Sequence, residues 1–216
     1  MSIQAGTRPS IYVLAGTNGA GKSSIGGAAI RQRSADYFNP DEAARWILET
    51  DPRIAPEEAN SRAWLEGKRL LQMAIAGRMT FAFETTLGGN TIPALLARAH
   101  EAGLAVRMWY VGLEGPDLHV ARVRARVARG GHDIPEAKIR ERYERSRENL
   151  IRLMPRLAEL RLFDNSAEGN PALGVAPSPR LILHVLDGTI AQACESIAVP
   201  RWAESLYAAA LREYSS

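Results

Sequence analysis

The sequence predicts an α/β protein of the P-loop NTPase class, with three α/β/α layers around a mostly parallel central sheet. Short apolar runs alternate with helical patterns along the chain, which is typical of parallel strands joined by crossover helices on both faces of a sheet. The first apolar run, residues 11–15, leads into a glycine-rich segment at residues 16–23. Two arginine-rich helical patterns then occupy about residues 115–150, and we expect them to form a lid.

The composition is that of an ordinary globular protein. Of the 216 residues, 46% are hydrophobic and 24% are charged, and the net charge is +3, which favours a single domain over residues 1–216. The lone cysteine, Cys194, excludes an internal disulfide and a cysteine-rich metal site. No segment reaches the roughly 18 apolar residues of a membrane span, and the first ten residues do not resemble a secretory signal. We therefore expect a cytoplasmic protein that does not contact membranes.

The predicted elements alternate in order. Strands are expected at residues 11–15, 37–38, 79–83, 104–111, 160–164 and 181–185. Helices are expected at residues 22–32, 40–49, 56–76, 92–102, 117–129, 135–153 and 200–214. Asn39 and Pro40 suit the N-cap and first position of the second helix, while Gly77 and Gly103 suit helix ends.

Several candidate functional residues follow predicted strands. These are Gly16, Asp41, Glu84 and Gly112. Ligands of open parallel sheets bind beyond the carboxyl ends of the strands. We therefore expect these four residues to line one crevice.

Residues 16–23 match the phosphate-binding pattern G-x-x-x-x-G-K-[ST]. The segment consists of Gly16, Thr17, Asn18, Gly19, Ala20, Gly21, Lys22 and Ser23. Its backbone amides are expected to converge on phosphate oxygens at the positive end of the next helix. Lys22 is expected beside the β- and γ-phosphates, and the Ser23 hydroxyl is expected to ligate Mg²⁺. Ser24 either contacts the α-phosphate or is an ordinary first-turn residue. The segment predicts that the protein binds ATP or GTP with Mg²⁺.

The remaining sequence favours a small-molecule kinase over a switch GTPase or a motor ATPase. The N-K-x-D motif that reads guanine is absent. No predicted strand clearly ends in the acid that a motor ATPase uses, and Asp187 is better explained as a turn residue before Gly188. A kinase needs a carboxylate near the acceptor hydroxyl, a group that holds the acceptor, and arginines that stabilise the transferring phosphoryl group.

Two acids are candidates for the first two roles. Asp41 lies in the first turn of a predicted helix, where it either accepts the proton of the acceptor hydroxyl or simply complements the helix dipole. Glu84 follows an apolar run and either binds the acceptor, supports magnesium, or caps the next helix. Thr85 and Thr86 provide adjacent hydroxyl groups for the acceptor.

Arginines are candidates for the third role. One predicted helix carries Arg122, Arg124, Arg126 and Arg129, and the next carries Arg140, Arg142, Arg145 and Arg147. Gly130 and Gly131 join the two helices as a flexible break, as in a lid that closes over phosphates. We expect two or three of these arginines to be functional and the others to be solvated or paired with acids. His132 is either a base or, as is more common after two glycines, a residue that caps a helix or supports a loop. Trp64, Trp109 and Trp202 are expected to be core or partly buried anchors.

This ordered set of motifs resembles the zeta toxin family of P-loop kinases, in its short, single-domain form. The resemblance rests on residues 15–24, 38–45, 83–87, 111–113, 130–135 and 139–150, and it ends near residues 164–166. It therefore covers about residues 8–190. The loop motif is shared by many P-loop proteins, whereas the ordered set is more specific.

The resemblance implies an ATP-dependent phosphotransferase, and toxin members phosphorylate a sugar hydroxyl of UDP-N-acetylglucosamine. By position, it implies that Lys22 and Ser23 hold phosphates and magnesium. It implies that Asp41 is the base and that Glu84 binds the acceptor. It also implies that Arg126, together with Arg142 or Arg145, stabilises the transferring phosphoryl group.

Two other functions are consistent with the sequence. A P-loop ATPase could place its arginines on a nucleic-acid backbone, but the basic stretch lacks the interleaved aromatic residues of such proteins. The other function is that of a regulatory nucleotide-binding module held by an antitoxin-like partner. We expect a small-molecule acceptor, with a nucleotide sugar as one candidate, and nucleic acid is not the favoured partner.

Overall fold

The structure is a computed structural model that describes residues 8–25, 30, 37–131, 133–167 and 179–214. The strands are β1 Ser10–Ala15, β2 Tyr37–Phe38, β3 Phe81–Thr85, β4 Ala105–Gly112, β5 Glu159–Asp164, β6 Arg180–Leu186 and β7 Thr189–Ala193. The helices are α1 Lys22–Ile25, α2 Pro40–Thr50, α3 Pro56–Ala76, α4 Thr91–Glu101, α5 Gly115–Val127, α6 Glu136–Leu153 and α7 Glu204–Tyr214. Short 3₁₀ turns lie at Met154–Arg156, Ser196–Ala198 and Arg201–Ala203.

The seven strands form one sheet in the order β2-β3-β1-β4-β5-β6-β7. The first five are parallel, whereas β6 and β7 pair antiparallel with their neighbours. The strand before the glycine-rich segment, β1, lies between β3 and β4 near the middle of the sheet. The predicted three-layer class with a mostly parallel sheet is confirmed.

Apolar side chains cover both faces of the sheet. Val13 belongs to the larger core cluster, together with side chains of α3, α4, α6 and α7. The next residue, Leu14, belongs to a second cluster with Trp109 and Ile30. Successive strand side chains point to opposite faces, so a strand buried on both sides must be apolar throughout. This explains the uninterrupted apolar run of β1.

The β6–β7 hairpin contains the strand that the sequence pattern missed. Its turn is formed by Asp187 and Gly188, with φ of +47° and +76°, and positive φ at both positions suits a tight hairpin turn. Asp187 is thus a turn residue, as expected. Strand β7 is mostly exposed and has no apolar run, so its pairing with β6 could not be recognised from periodicity.

Strand β3 begins and ends two residues later in the chain than the sequence predicted. Met79 belongs to the turn after α3, where its N–H donates to Ala74 O at 2.9 Å, and its side chain is 48% exposed. The strand therefore begins at Phe81 and contains Glu84 near its carboxyl end. The prediction that Glu84 follows this strand was wrong, because the strand ends at Thr85, two positions later than predicted.

Helix ends agree largely with the sequence signals. The side chain of Asn39 accepts hydrogen bonds from the N–H groups of Asp41 and Glu42 at 2.9 and 3.4 Å, so the predicted N-cap of α2 is confirmed. Gly103 follows α4 with φ of +80°. Gly77 ends α3 with φ of −84° and thus without the left-handed conformation.

Helices α5 and α6 pack together through Val120, Val123, Ile134 and Ile139. Helix α5 ends at Val127, two residues earlier than predicted. Gly130 and Gly131 follow in the turn after it, and the N–H of Gly131 donates to Arg126 O at 3.0 Å. His132 lies outside the described residues, as does most of the predicted helix after residue 25. In the part of the chain that the structure describes, no helix is long and apolar enough to cross a membrane.

Candidate functional site

The predicted phosphate-binding segment forms a tight loop between β1 and α1. Within it, Ala20 N–H donates to Thr17 O at 3.1 Å, and Lys22 Nζ donates to Gly16 O at 3.0 Å. Burial lowers the pKa of Lys22, while the carboxylates of Glu84 and Asp41 act in the opposite direction. Lys22 therefore lies among the acids that the sequence singled out. Ser23 and Ser24 belong to α1, but their side chains lie outside the described part of the structure.

Side chains from distant parts of the chain hold this loop. His119 of α5 bonds through Nδ1 to Asn18 O at 2.8 Å, and Asn165 after β5 donates to Ala20 O at 2.9 Å. Arg142 of α6 donates to the Asn18 side-chain oxygen at 2.8 Å. Each contact spans more than 100 positions of sequence, and the loop pattern alone did not reveal the first two.

Glu84 is a buried carboxylate, 6% exposed, at the carboxyl end of β3. The hydroxyl of Tyr37 donates to its Oε1, and Asn39 Nδ2 donates to the same oxygen at 3.2 Å. The N-cap position of α4 is Asn90, so the alternative in which Glu84 caps that helix is wrong. The residue that caps α2 thus also orients the buried acid.

Asp41 lies in the first turn of α2 with its side chain half exposed. Its Oδ2 is 3.4 Å from an η-nitrogen of Arg126 on α5. The carboxylate lines the cleft beside Lys22 and Glu84. Asp41 lies where it complements the start of the helix and it also lines the cleft, while its role as a base stays a prediction.

Three of the eight arginines on α5 and α6 lie near the cleft. Arg126 contacts Asp41 and Arg142 contacts the loop, whereas Arg145 lines the cleft and pairs with Glu141 at 2.8 Å. Others are occupied elsewhere in ion pairs: Arg124 with Glu136, Arg140 with Asp117, and Arg147 with Glu144. The arrangement agrees with the expected number of site arginines, while their roles stay predictions.

A polar face of α6 supports the segment after β3. Ser146 Oγ donates to Thr86 O at 2.7 Å and accepts from the Tyr110 hydroxyl at 2.9 Å. Asn149 Nδ2 donates to Leu87 O at 2.8 Å and to the carbonyl of residue 89 at 3.0 Å. Burial raises the pKa of Tyr110 to about 12, so its hydroxyl remains a donor. The spacing of residues 142, 146 and 149 on one helix face was the signal that could have revealed this support.

The residues surround a cleft of about 590 Å³. Thr85 and Thr86 line it, as expected; their hydroxyl oxygens accept from the N–H groups of Leu87 and Gly88 at 3.0 and 3.4 Å. Gly112 is not among the lining residues. A Cβ on it would lie 2.2 Å from the ring of Trp202, so its small size serves packing. The expectation that Gly112 lines the crevice was wrong.

Helix α3 forms a wall of the cleft that the sequence did not reveal. Asn60, Trp64 and Lys68 lie on this wall, and Trp64 is 43% exposed. Trp109 and Trp202 are buried as expected, whereas the expectation of a core or partly buried anchor was wrong for Trp64. Its placement depends on the packing of α3 against α2, which brings the ring to the cleft.

Among the described residues, no group of three or more His, Cys, Asp or Glu side chains could chelate a metal ion. A magnesium ion bound to a nucleotide needs fewer protein ligands, because phosphate oxygens and water fill most of its coordination shell. Asp41 and Glu84 both line the cleft, and carboxylate oxygens are among the ligands that Mg²⁺ accepts.

Comparisons with known proteins identify relatives of this chain. The zeta toxin family model matches residues 2–168. A protein of Haemophilus influenzae (strain ATCC 51907 / DSM 11121 / KW20 / Rd), described as uncharacterized, is 34% identical over 129 residues, which are 59% of this chain and 88% of that protein.

Solved structures share the fold at low identity. A chain of the AvrRxo1-ORF1:-ORF2 crystal structure with ATP is 16% identical, with a TM-score of 0.67 over 95% of this chain and 64% of that chain. The present chain therefore spans less than two thirds of that relative. A chain of the PezAT chromosomal toxin–antitoxin system of Streptococcus pneumoniae is 14% identical, with a TM-score of 0.52 over 74% of this chain and 70% of that chain.

The family model covers most of the chain and includes the loop, both cleft acids and the arginine-bearing helices. The structural likeness supports the same fold class independently of sequence identity. The resemblance inferred from the ordered motifs is thus confirmed, and the chain belongs to the zeta toxin family.

Proposed function

We propose that the protein is a nucleotide-dependent kinase that transfers the γ-phosphate of ATP to an alcohol group of a small metabolite. The observation that carries the proposal is the placement of Lys22, Asp41 and Glu84 around one cleft at the end of the phosphate-binding loop. Family membership supports the phosphotransferase activity. We regard residues 1–216 as one kinase domain in which α5 and α6 form the lid.

The cleft suits an in-line phosphoryl transfer. Lys22 and the loop amides hold the phosphates, and Asp41 accepts the proton as the acceptor oxygen bonds to the γ-phosphorus and the bond to the bridging oxygen breaks. Arg126, Arg142 and Arg145 are positioned to offset charge on the transferring group. Ser23 is the proposed ligand of Mg²⁺, which neutralises phosphate charge when it is bound. ADP is the other product.

The α3 wall supports a planar, anionic acceptor such as a nucleotide sugar. Trp64 offers an exposed ring for stacking, and Lys68 Nζ lies 5.8 Å from the ring centroid. Lys138 of α6 also lines the cleft. An exposed indole in a cleft that two lysines line suits a molecule that carries both a flat ring and phosphate groups. UDP-N-acetylglucosamine has this chemistry, and the family resemblance suggests the same acceptor.

Phosphate transfer from γ-labelled ATP tests the proposal. The protein is incubated with UDP-N-acetylglucosamine and, separately, with a metabolite extract that is searched by mass spectrometry for gains of one phosphate. We expect a product with the wild type, none with Asp41→Asn, and full yield with Asp187→Asn, which makes the same change in the distant β6–β7 turn. The kinase proposal fails if no metabolite gains phosphate.

The nucleic-acid alternative is less well supported by the arginine contacts. Arg124, Arg140 and Arg147 are engaged with acids of the same two helices, so these helices do not present a continuous basic surface to a phosphate backbone. ATP hydrolysis that is stimulated by RNA or DNA would favour this alternative.

We also propose an antitoxin-like protein partner. The proposal rests on family membership and on the toxin–antitoxin system named for one structural neighbour. Purification of the chain together with the products of adjacent genes tests it. A small protein that copurifies at one-to-one stoichiometry and lowers phosphate transfer is the expected result.

A further inference from the structure

Two buried side chains from outside the phosphate-binding loop each hold one carbonyl group of that loop. His119 Nδ1 bonds to Asn18 O at 2.8 Å, across 101 positions of sequence. Asn165 Nδ2 donates to Ala20 O at 2.9 Å, across 145 positions. His119 is 1% exposed and Asn165 is 5% exposed. Each anchor therefore holds a main-chain oxygen where water does not compete.

The same two residues pack against the glycines that follow these carbonyls. Gly19 and Gly21 both have φ of +83°, a conformation that glycine adopts without steric cost. A Cβ on Gly19 would lie 2.7 Å from the carbonyl oxygen of His119, and a Cβ on Gly21 would lie 2.5 Å from Asn165 Nδ2. The two glycines thus allow both the turn and the close approach of the anchors.

Holding a carbonyl also orients the next amide. A trans peptide unit is planar, and its C=O and N–H groups point in opposite directions. When the oxygens of Asn18 and Ala20 are drawn toward the anchors, the N–H groups of Gly19 and Gly21 must point away from them. We infer that His119 and Asn165 are positioning residues that aim these two amides at the nucleotide phosphates.

His119 acts in this role as a neutral group. Burial, together with the smaller effect of the positive charges of Lys22 and Arg122, lowers its pKa to about 4, although the hydrogen bond to Asn18 acts in the opposite direction. Its Nδ1 faces a carbonyl oxygen, so Nδ1 carries the proton of the neutral ring and donates it. The ring adds no charge to the phosphate site, and its effect passes through the loop backbone.

The anchors are themselves held by rigid neighbours. The ring of His119 contacts Tyr143 edge-on, with centroids 5.5 Å apart, and the N–H of Asn165 donates to Gly112 O at 3.0 Å. One anchor therefore depends on the packing of α5 against α6, and the other on the paired ends of β4 and β5. Because α5 also carries Arg126, loop shape and the position of that lid arginine are linked.

The inference rests on the phosphate site of the proposed function, so it is tested with inorganic tripolyphosphate, a probe that needs no acceptor and no transfer step. His119→Phe keeps an aromatic ring beside Tyr143 and removes the donor, whereas His119→Asn places an amide nitrogen at a similar position. Asn165→Ala removes the second donor. Calorimetric titration of each protein with tripolyphosphate gives its Kd.

We expect the Kd for tripolyphosphate to rise about tenfold in His119→Phe and in Asn165→Ala, as for the loss of one hydrogen bond to a charged group. We expect His119→Asn to recover most of the affinity. Tyr207→Phe is the matched control, because it removes a partly buried hydrogen bond to Cys194 O far from the loop, and it should leave the Kd unchanged. Thermal unfolding checks that each variant is folded.

Unchanged affinity in both His119→Phe and Asn165→Ala overturns the inference and leaves the kinase proposal intact. Equal losses in His119→Phe and His119→Asn also overturn it for His119, because ring packing would then explain the effect. If the expected order of Kd values holds while no metabolite accepts phosphate from the wild type, the kinase proposal fails and the positioning role stands. The deciding measurement is the ratio of Kd values for His119→Phe and His119→Asn.

Discussion

Arg126 of α5 lies 3.4 Å from Asp41 of α2, measured between an η-nitrogen and Oδ2. The contact joins the arginine-bearing helices to the acidic wall of the cleft. The two side chains are 37% and 51% exposed, and ion pairs at such exposure contribute little to stability. The importance of the pair therefore lies in its position, since it couples the proposed base to an arginine that is proposed to meet the phosphoryl group.

Asp41→Asn should abolish most phosphate transfer without unfolding the protein. Loss of a general base typically slows a reaction by about 10²- to 10⁴-fold, whereas loss of a half-exposed ion pair changes the free energy of unfolding by at most about 1 kcal/mol. Initial rates and urea denaturation curves measure the two quantities. Arg126→Gln breaks the same ion pair by removing the charge of the arginine. If both variants were as active as the wild type, neither residue would have a catalytic role.

Lys22→Ala should abolish nucleotide turnover and leave a folded protein. The amino group is the charge that the loop places beside the phosphates, and in the absence of nucleotide its contact is a hydrogen bond to Gly16 O. ATP turnover and far-ultraviolet circular dichroism check the two parts of the prediction. Lys68→Ala provides a comparison in which a lysine of the α3 wall is removed, and it should raise the KM for the acceptor more than the KM for ATP.

Tyr37→Phe should weaken the orientation of Glu84 and raise the KM for the acceptor. The tyrosine hydroxyl donates to the buried carboxylate, and an unsatisfied buried group costs about 1–3 kcal/mol. Asn39→Ala removes a donor to the same oxygen and also the cap of α2, which adds about 0.5–2 kcal/mol. Urea denaturation should therefore show Asn39→Ala to be the less stable variant. The opposite order would mean that the cap of α2 contributes less than the structure indicates, and an unchanged KM for the acceptor in Tyr37→Phe would mean that Glu84 does not depend on this donor.

Stability should fall in acid because of His119. Its pKa is about 4 in the folded chain and about 6.5 when unfolded, so between these values the unfolded chain binds more protons. The free energy of unfolding is therefore lost as pH falls from about 6.5 to about 4, with a slope of up to about 1.4 kcal/mol per pH unit for this group. Denaturant titrations across that range give the free energy of unfolding at each pH. In His119→Phe this free energy should change with pH less steeply than in the wild type, by up to about 1.4 kcal/mol per pH unit. An identical slope in both proteins would contradict the buried, neutral histidine.

The loop, the central parallel strands and the cleft acids were predictable because their signals are local. A phosphate-binding loop needs its glycines, Lys22 and its flanking strand and helix within a few residues, and Asn39, Pro40 and Asp41 define the start of α2 within three positions. Strand β3 was displaced by two residues because Met79 is apolar but belongs to a turn. Apolar character alone does not distinguish a strand residue from an exposed turn residue.

The sequence by itself determined the fold class, the family and the position of the candidate phosphate-binding loop. Only the tertiary structure revealed that Trp64 faces the cleft, that three of the arginines lie near the cleft, and that β7 pairs with β6. The same holds for His119 and Asn165, whose contacts with the loop span more than 100 positions. The physical reason is that a motif records the local backbone conformation, whereas the direction of a side chain depends on which helix faces and strand ends the whole chain brings together.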